Sequence, residues 1–284
     1  MMLTRSIRCG PTRNAAKCFF SSRSSTNPAD NIMSNVVQGP SLLLTTLHRP
    51  EPSLMIMPGL RSLPFWTNNN GQVAYQDPQV SKIVQHLQKH VAEIRDEYVK
   101  VSPTIPSDYK VGGAGTEHHA DDDSLHTGTW DWHSYLLHGQ VQPKFCEHFP
   151  VTTKAIQEIG SDLFTKTPFG FCFFSKLAGD STISAHASPI NFRLRIHLPL
   201  IVPSPSGEDN IGIRVGPISQ KWIPDQALCL DDSYNHDVWN KTKEERVVLI
   251  VDIWHPDVRP SEREEIVRMF QHAKQKGWLK KDSK

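Results

Sequence analysis

The chain predicts a mainly β domain with flanking helices, and three observations carry that reading. Between residues 169 and 254, six short apolar or alternating runs follow one another: FGFCFFSKL (169–177), NFRLRIHLPLIV (191–202), IGIRV (211–215), QALCLDD (226–232), HDVWN (236–240) and RVVLIVDIW (246–254). Gly, Pro, Asn and Asp turns separate them, the spacing of an antiparallel double sheet. Helical periodicity is strongest outside this block. A jelly roll is the simplest closed form of such strands.

The elements follow in order along the chain. Residues 1–34 read as a transit peptide or disordered leader, because Arg5, Arg8, Arg13, Lys17 and Arg23 stand among serines with no acid before Asp30. That composition points to an organelle, the mitochondrion ahead of the plastid; Pro11 interrupts the amphipathic helix that a mitochondrial presequence prefers and so keeps the plastid open, and the cytoplasm is the alternative. Residues 35–57 form an irregular arm, and the folded domain spans 58–258. Asp77-Pro78 supplies an N-cap and a proline at N1, and Val80, Ile83, Val84, Leu87, Val91, Ile94 and Tyr98 form one stripe, so a single amphipathic helix is predicted over 78–99. Residues 102–129, with Glu117-His118-His119 and Asp121-Asp122-Asp123, read as solvated loop, for want of a periodic scaffold that would fix metal ligands. The segment from Trp132 leads through a Gly turn to a short helix near 151–159, and the strands follow. Over 259–284 a helix and a basic tail close the chain, with Ser261 and Glu264 as capping box and Ile266, Met269, Phe270 and Ala273 as the apolar stripe.

Composition excludes several classes. With 38% hydrophobic and 21% charged residues the chain is ordinary for a globular protein. Its longest apolar runs fall short of the roughly 20 residues that span a bilayer, so no transmembrane segment is expected. The formal net charge of +1 hides an asymmetry: without the basic leader the body carries an excess of acid, which argues against a nucleic-acid partner. Five cysteines without CxxC spacing argue for a reducing compartment rather than a disulfide framework or a thiolate zinc site.

The chemistry concentrates between Ser175 and Asp252. In NFRLRIHLPL, strand alternation places Asn191, Arg193, Arg195 and His197 on one face and Phe192, Leu194, Ile196 and Leu198 on the other. Two arginines and a histidine facing inward need partners, because an unpaired buried charge costs several kcal/mol or more. An anionic ligand would supply one. A hairpin centred on residue 241 would place His236 directly opposite Arg246, so that a metal-bound ligand at His236 extends an anionic tail to the guanidinium. Taken singly these residues have plainer readings: most of the 14 histidines serve as surface or satisfied polar groups, and Arg246 can be a structural ion-pair partner. The combination points to a metal-dependent oxygenase.

An ordered series of motifs supports that reading: PGLRSLPFW from Pro58, IRDE from Ile94, the Trp132 segment, FPVTT (149–153), SAHASPINFRLRIHLPL, LDDSYNHDVWN and ERVVLIVDIWHPD. Together they resemble the aspartyl/asparaginyl β-hydroxylases, iron(II)- and 2-oxoglutarate-dependent oxygenases with a double-stranded β-helix (jelly-roll, cupin-like) core. The resemblance covers roughly Pro58 to Pro256. It implies that His186 and His236 hold iron(II), and that Ser175, Arg195, His197, Arg246 and Trp132 bind 2-oxoglutarate, with O2 as second co-substrate. Arg195 has an alternative role: with Arg193 it would hold the carboxylate or carboxamide of the substrate. The family's usual His-x-Gly reads His186-Ala187-Ser188 here, so neither the aspartate of the common facial triad nor the small glycine is present. Water is expected at that corner. Asp180, Asp231 and Asp232 are conceivable substitutes, although Asp231-Asp232-Ser233 fits better as the turn that aims His236.

The implied reaction is oxidative decarboxylation of 2-oxoglutarate to succinate coupled to hydroxylation of an unactivated carbon, the β-carbon of an aspartyl or asparaginyl group. Lipid acyl chains and small metabolites are alternative substrates, so the partner is a protein or a small molecule. From a different class comes a non-catalytic, cupin-like metal or small-molecule binding module, which Ser188 favours and the retained His186, His236 and Arg246 oppose. A zinc hydrolase on the same histidines lacks a third protein ligand and an evident general base.

Overall fold

Periodicity and alternation translate directly into elements in the computed structural model, which describes residues 55–67, 77–110, 125–203 and 210–277. In chain order these are helices α1 (Pro78–Lys89) and α2 (Val91–Val101), strands β1 (Tyr109–Lys110), β2 (His126–Thr127), β3 (Trp130–Leu137) and β4 (Gln140–Val141), and helices α3 (Pro143–His148) and α4 (Pro150–Gln157). Strands β5 (Cys172–Leu177), β6 (Ser181–His186), β7 (Arg193–Ile201), β8 (Ile211–Val215), β9 (Ile218–Gln220), β10 (Leu228–Leu230), β11 (His236–Asn240) and β12 (Arg246–Trp254) follow, and helix α5 (Pro260–Gln275) ends the described chain.

Two antiparallel sheets form. The larger runs β1-β3-β5-β12-β7-β10, with β4 beside β3, and the smaller runs β2-β6-β11-β8-β9. Both faces of the larger sheet are covered, which is why β12 is buried at every position. Period-2 alternation divides its side chains: Val247, Leu249, Val251 and Ile253 join Leu194, Ile196 and Leu198 of β7 in a core shared with α1 and α2. Val248 and Ile250 point the other way, into a second core with Ile183, Ile213, Val215 and Val238 of the smaller sheet. The two cores lie on opposite faces of one sheet. The predicted faces of β7 are therefore those observed, with Arg193, Arg195 and His197 turned toward the space between the sheets. The arrangement is the expected jelly roll.

Local chemistry also explains where the structure departs from expectation. The predicted 78–99 helix is two helices, α1 and α2. Asp77 caps the first, accepting from Val80 N at 3.0 Å. His90 breaks it at φ −97°, ψ 3°, its N–H tightening onto Leu87 O at 3.2 Å. Every residue of the predicted stripe is nonetheless buried, because the second helix resumes the same face. The cap of α5 is Arg259 with Glu262, not Ser261 with Glu264: Pro260 takes N1, and the Glu262 carboxylate accepts Arg259 N–H at 2.8 Å. Ile266, Met269, Phe270 and Ala273 are buried as read. Strand β6 escaped the sequence reading, since Ile183 is the one large apolar residue of STISAH.

The largest departure concerns the hairpin. Strands β11 and β12 do not pair: β11 lies between β6 and β8, whereas β12 lies between β5 and β7. Asn240 redirects the chain between sheets. Its Nδ2 donates to the carbonyls of Leu177 (3.3 Å), Ala178 (3.0 Å) and Glu244 (2.8 Å), while its Oδ1 accepts from Thr242 Oγ1 at 2.7 Å. His236 and Arg246 consequently face each other across the space between two sheets, not along one ladder.

The leader, most of the arm, the Glu117-His118-His119 and Asp121–Asp123 cluster, and the basic tail lie outside the described residues. Among the described residues Cys146, Cys172 and Cys229 are free thiols, and no helix is long and apolar enough to cross a membrane.

Candidate active site

A cavity of about 430 Å³ opens between the two sheets. Its walls bring together all of the sequence-predicted residues: His186 and His236 from the smaller sheet, Trp132, Ser175, Arg193, Arg195, His197 and Arg246 from the larger, and Ser188 from the link between β6 and β7. Apolar side chains, among them Phe171, Phe173, Val238 and Ile250, fill most of the remaining wall.

The two histidines are cross-strand neighbours. Antiparallel pairing of β6 with β11 sets His186 and His236 opposite each other, with ring centroids 4.1 Å apart. Each ring is anchored the same way: His186 Nδ1 lies 2.8 Å from Ser184 O, and His236 Nδ1 lies 2.9 Å from Tyr234 O. A carbonyl can only accept, so Nδ1 is the protonated nitrogen in both rings and Nε2 carries the lone pair for a metal. Burial pushes His236 down to about 3, with His186 adding to the effect, so the ring is neutral at physiological pH.

Among the described residues, no third His, Cys, Asp or Glu atom joins this pair at metal-ligand range. Each conceivable substitute is engaged elsewhere: Asp180 binds Lys243 at 2.7 Å, Asp231 accepts from the Ser233 N–H at 2.9 Å, and Asp232 pairs with two arginines. Asp231 thus shapes the turn before β11, as read, and Asp232 sits in the same turn with its side chain directed to Arg193 and Arg195. Ser188 is buried on the cavity wall, its N–H donating to Asp232 O at 2.7 Å.

Arg246 lines the same cavity from the larger sheet. It is 1% exposed, has no carboxylate partner among the described residues, and leaves its Nε without an acceptor. Its guanidinium lies 4.7 Å from the centroid of the Trp222 ring. Burial pushes it down to about 9, as befits a buried cation without an anion beside it. Trp222 also donates from Nε1 to His197 Nδ1 at 3.2 Å, so His197 carries its proton on Nε2. Burial, and then the charge of Arg246, hold His197 well below its ordinary range. Ser175 Oγ accepts from Trp130 Nε1 at 2.9 Å, and Trp132 stacks on Phe173 at 4.0 Å.

Arg193 and Arg195 correct the expectation that an anionic ligand must neutralise them. Arg193 meets Asp232 at 2.5 Å, Asp252 at 2.8 Å and the Phe169 carbonyl, while Arg195 meets Asp252 at 2.8 and 3.0 Å and Asp232 at 3.3 Å. Two cations and two anions cancel. Burial works against the Arg195 charge, yet Asp252 and Asp232 hold its pKa above the ordinary range; Asp232 is held low by Arg193 and Arg195 against the same penalty. With every donor it turns toward the cluster engaged, Arg193 acts as a strut, and the demand for an external anion falls on Arg246.

Three contributors were not assigned site roles from sequence. Asp252 had a signal: it is the lone acid inside RVVLIVDIW and shares the face of Arg246 at period 2. Trp130 was recoverable from the same logic one strand away. Trp222 had none, because QKWIPD carries no periodicity.

The sequence has known relatives. A family model described as aspartyl/asparaginyl beta-hydroxylase matches residues 88–256. The aspartyl/asparaginyl beta-hydroxylase of Mus musculus is 25% identical over 213 residues, covering 75% of this chain and 26% of the relative. Aspartate beta-hydroxylase domain-containing protein 2 of Mus musculus is 26% identical over 224 residues (78% of this chain, 59% of the relative), and domain-containing protein 1 of the same species is 35% identical over 135 residues (46% and 36%). The chain therefore spans about a quarter of the length of the mouse hydroxylase it matches. A prolyl hydroxylase from Trichoplax adhaerens, solved with a hypoxia inducible factor peptide, overlaps 65% of this chain and 90% of its own at 11% identity and TM-score 0.39, too loosely to add to the fold described above.

Proposed function

The chain belongs to the aspartyl/asparaginyl beta-hydroxylase family, and from that premise we propose that it is an iron(II)- and 2-oxoglutarate-dependent dioxygenase hydroxylating the β-carbon of an aspartyl or asparaginyl group. One observation carries the reading: a buried guanidinium, Arg246, with no carboxylate partner among the described residues, lines the same cavity as two Nδ1-anchored imidazoles. A purely structural role does not call for a desolvated cation whose described neighbour is an aromatic face and not an anion.

His186 and His236 would hold iron(II) through Nε2, with water at the corner beside Ser188. Bound iron supplies the O2 chemistry that converts 2-oxoglutarate to succinate and oxidises the carbon. The protein's share is placement. Arg246 would clamp the distal carboxylate of 2-oxoglutarate by charge-assisted hydrogen bonds, helped by the Ser175 hydroxyl and His197 Nε2–H. The Arg193–Asp232–Arg195–Asp252 cluster keeps the wall rigid and electrically neutral, so the clamp is not misplaced by competing cations. The apolar lining excludes water.

A second substrate reading rests on that lining: the preponderance of Trp132, Phe171, Phe173, Val238 and Ile250 suits an acyl chain better than a charged group. The assay for activity leaves that choice to substrate profiling. Full-length protein with iron(II), ascorbate and 2-oxoglutarate should form succinate slowly without added substrate. Absent or iron-independent turnover would instead favour the binding-module reading that Ser188 suggests.

Arg246→Met separates clamp from strut. The KM for 2-oxoglutarate should rise about 10- to 100-fold, the range of a lost hydrogen bond to a charged group. The substrate-free variant should melt no lower than the parent, because a costly buried cation has been removed. A clear fall in melting temperature with KM unchanged would make Arg246 structural.

A further inference from the structure

Away from the cavity, the junction of α1, α2 and α4 gathers a second set of ligand-type side chains. His86 lies on α1, His90 is the residue after it, and Glu158 follows α4. The i, i+4 spacing stacks the two imidazoles on one side of the helix, with ring centroids 5.0 Å apart. Glu158 Oε2 approaches both, 3.9 Å from His86 Nε2 and 4.0 Å from His90 Nε2. All three ligand atoms lie within 4.8 Å of one another, the only such group of three His, Cys, Asp or Glu residues among the described residues.

We propose that His86, His90 and Glu158 form a metal site separate from the iron pocket, taking a borderline divalent ion such as zinc with water as the fourth ligand. Two further features point the same way. Glu93 Oε2 accepts from His90 Nδ1 at 3.0 Å, which orients the ring and leaves Nε2, the nitrogen facing Glu158, with its lone pair. A carboxylate behind a histidine is the usual support of a metal-bound imidazole. Second, Glu158 is the C-cap residue of α4, so one helix terminus carrying partial negative charge meets the cluster; at His90 the C-terminus of α1 is offset by the N-terminus of α2, which begins there.

The geometry asks for little movement. Ligands at the roughly 2.0–2.1 Å of zinc–nitrogen and zinc–oxygen bonds stand about 3.4 Å apart in a tetrahedron, so the two contacts to Glu158 must close by about half an ångström and the two imidazoles, whose ligand atoms lie within 4.8 Å, must draw together by side-chain rotation. His86 Nε2 also lies 2.8 Å from Ala155 O, one turn before Glu158 on α4. Because a carbonyl only accepts, that nitrogen carries the ring proton here; metal binding would exchange the contact for the ion, with the proton moving to Nδ1. All three side chains are partly exposed, with relative accessibilities of 22%, 24% and 45%, so an ion has a path in and a water has room to complete the shell. The site would clamp the α1–α2 pair to α4 on the outer face of the larger sheet.

Zinc titration of the full chain against a chromophoric chelator tests this. One bound equivalent should survive in His186→Ala/His236→Ala and disappear in His90→Ala, whose metal-free melting temperature stays near the parent's. Glu93→Gln should weaken that equivalent about 10-fold or more through the supporting carboxylate alone. Retention of the equivalent in His90→Ala, or its absence from the parent, would overturn the proposal. Should the double variant fail to fold, a difference of one equivalent between parent and His90→Ala supports the site, and equal stoichiometry in the two overturns it.

Discussion

His236→Ala should abolish succinate formation, lowering it at least about 100-fold. The expectation follows from ligand number. Most related iron sites spread the metal over two histidines and a carboxylate, so losing one ligand leaves two. Here His186 and His236 stand without a carboxylate among the described residues, and losing either leaves one imidazole. Even partners behind metal ligands cost about 10- to 100-fold when removed, and a direct ligand costs more. Chelator competition should show the iron leaving with the activity. Because His236 is buried on β11, the variant must be shown to melt cooperatively before its rate is interpreted. A folded His236→Ala protein that keeps a third of the parental rate, or that loses activity while still binding iron as tightly, would remove His236 from the metal.

How much of this was legible in the sequence depends on the range of the signal. Period-2 alternation is local, and it placed Arg193, Arg195 and His197 on the cavity face of β7 correctly. Helical periodicity did the same for α1, α2 and α5, although not for the break at His90, where one residue in the bridge region leaves the stripe intact. Pairing between distant strands is not local. Asp252 lies beside Arg195 because β12 runs along β7, and no feature of either segment announces that register across 57 residues. The hairpin argument failed for a related reason: it assumed that neighbours in sequence pair, whereas Asn240 sends the chain from one sheet to the other. His236 and Arg246 still meet in one cavity. The motifs carried that much, because a series of segments spread from Pro58 to Asp257 constrains the three-dimensional site more than any spacing within one of them.

Asp252→Ala should be the most destabilising single substitution in the site, by about 3–5 kcal/mol, the range for breaking a buried ion pair from one side. Asp252 is fully buried and accepts from Arg193 at 2.8 Å, from Arg195 at 2.8 and 3.0 Å, and from the Phe171 N–H at 3.0 Å. Removing it leaves two largely buried guanidinium groups sharing Asp232, a net positive charge. For a domain of this size such a loss lowers the melting temperature by about 10 °C. The reason is imbalance, not a missing contact, and that distinction is measurable. If charge balance dominates, Arg193→Met/Asp252→Asn should be markedly more stable than the sum of its two single variants, since one cation and one anion leave together. Additive losses would mean that each contact acts alone and that the four charges are not a unit. Activity gives a second reading of the same cluster: Asp252→Asn, with the side-chain shape kept but the charge removed and one acceptor oxygen replaced by a donor, frees Arg195 to compete with Arg246 for the distal carboxylate. It should therefore raise KM for 2-oxoglutarate even at temperatures where the protein is fully folded.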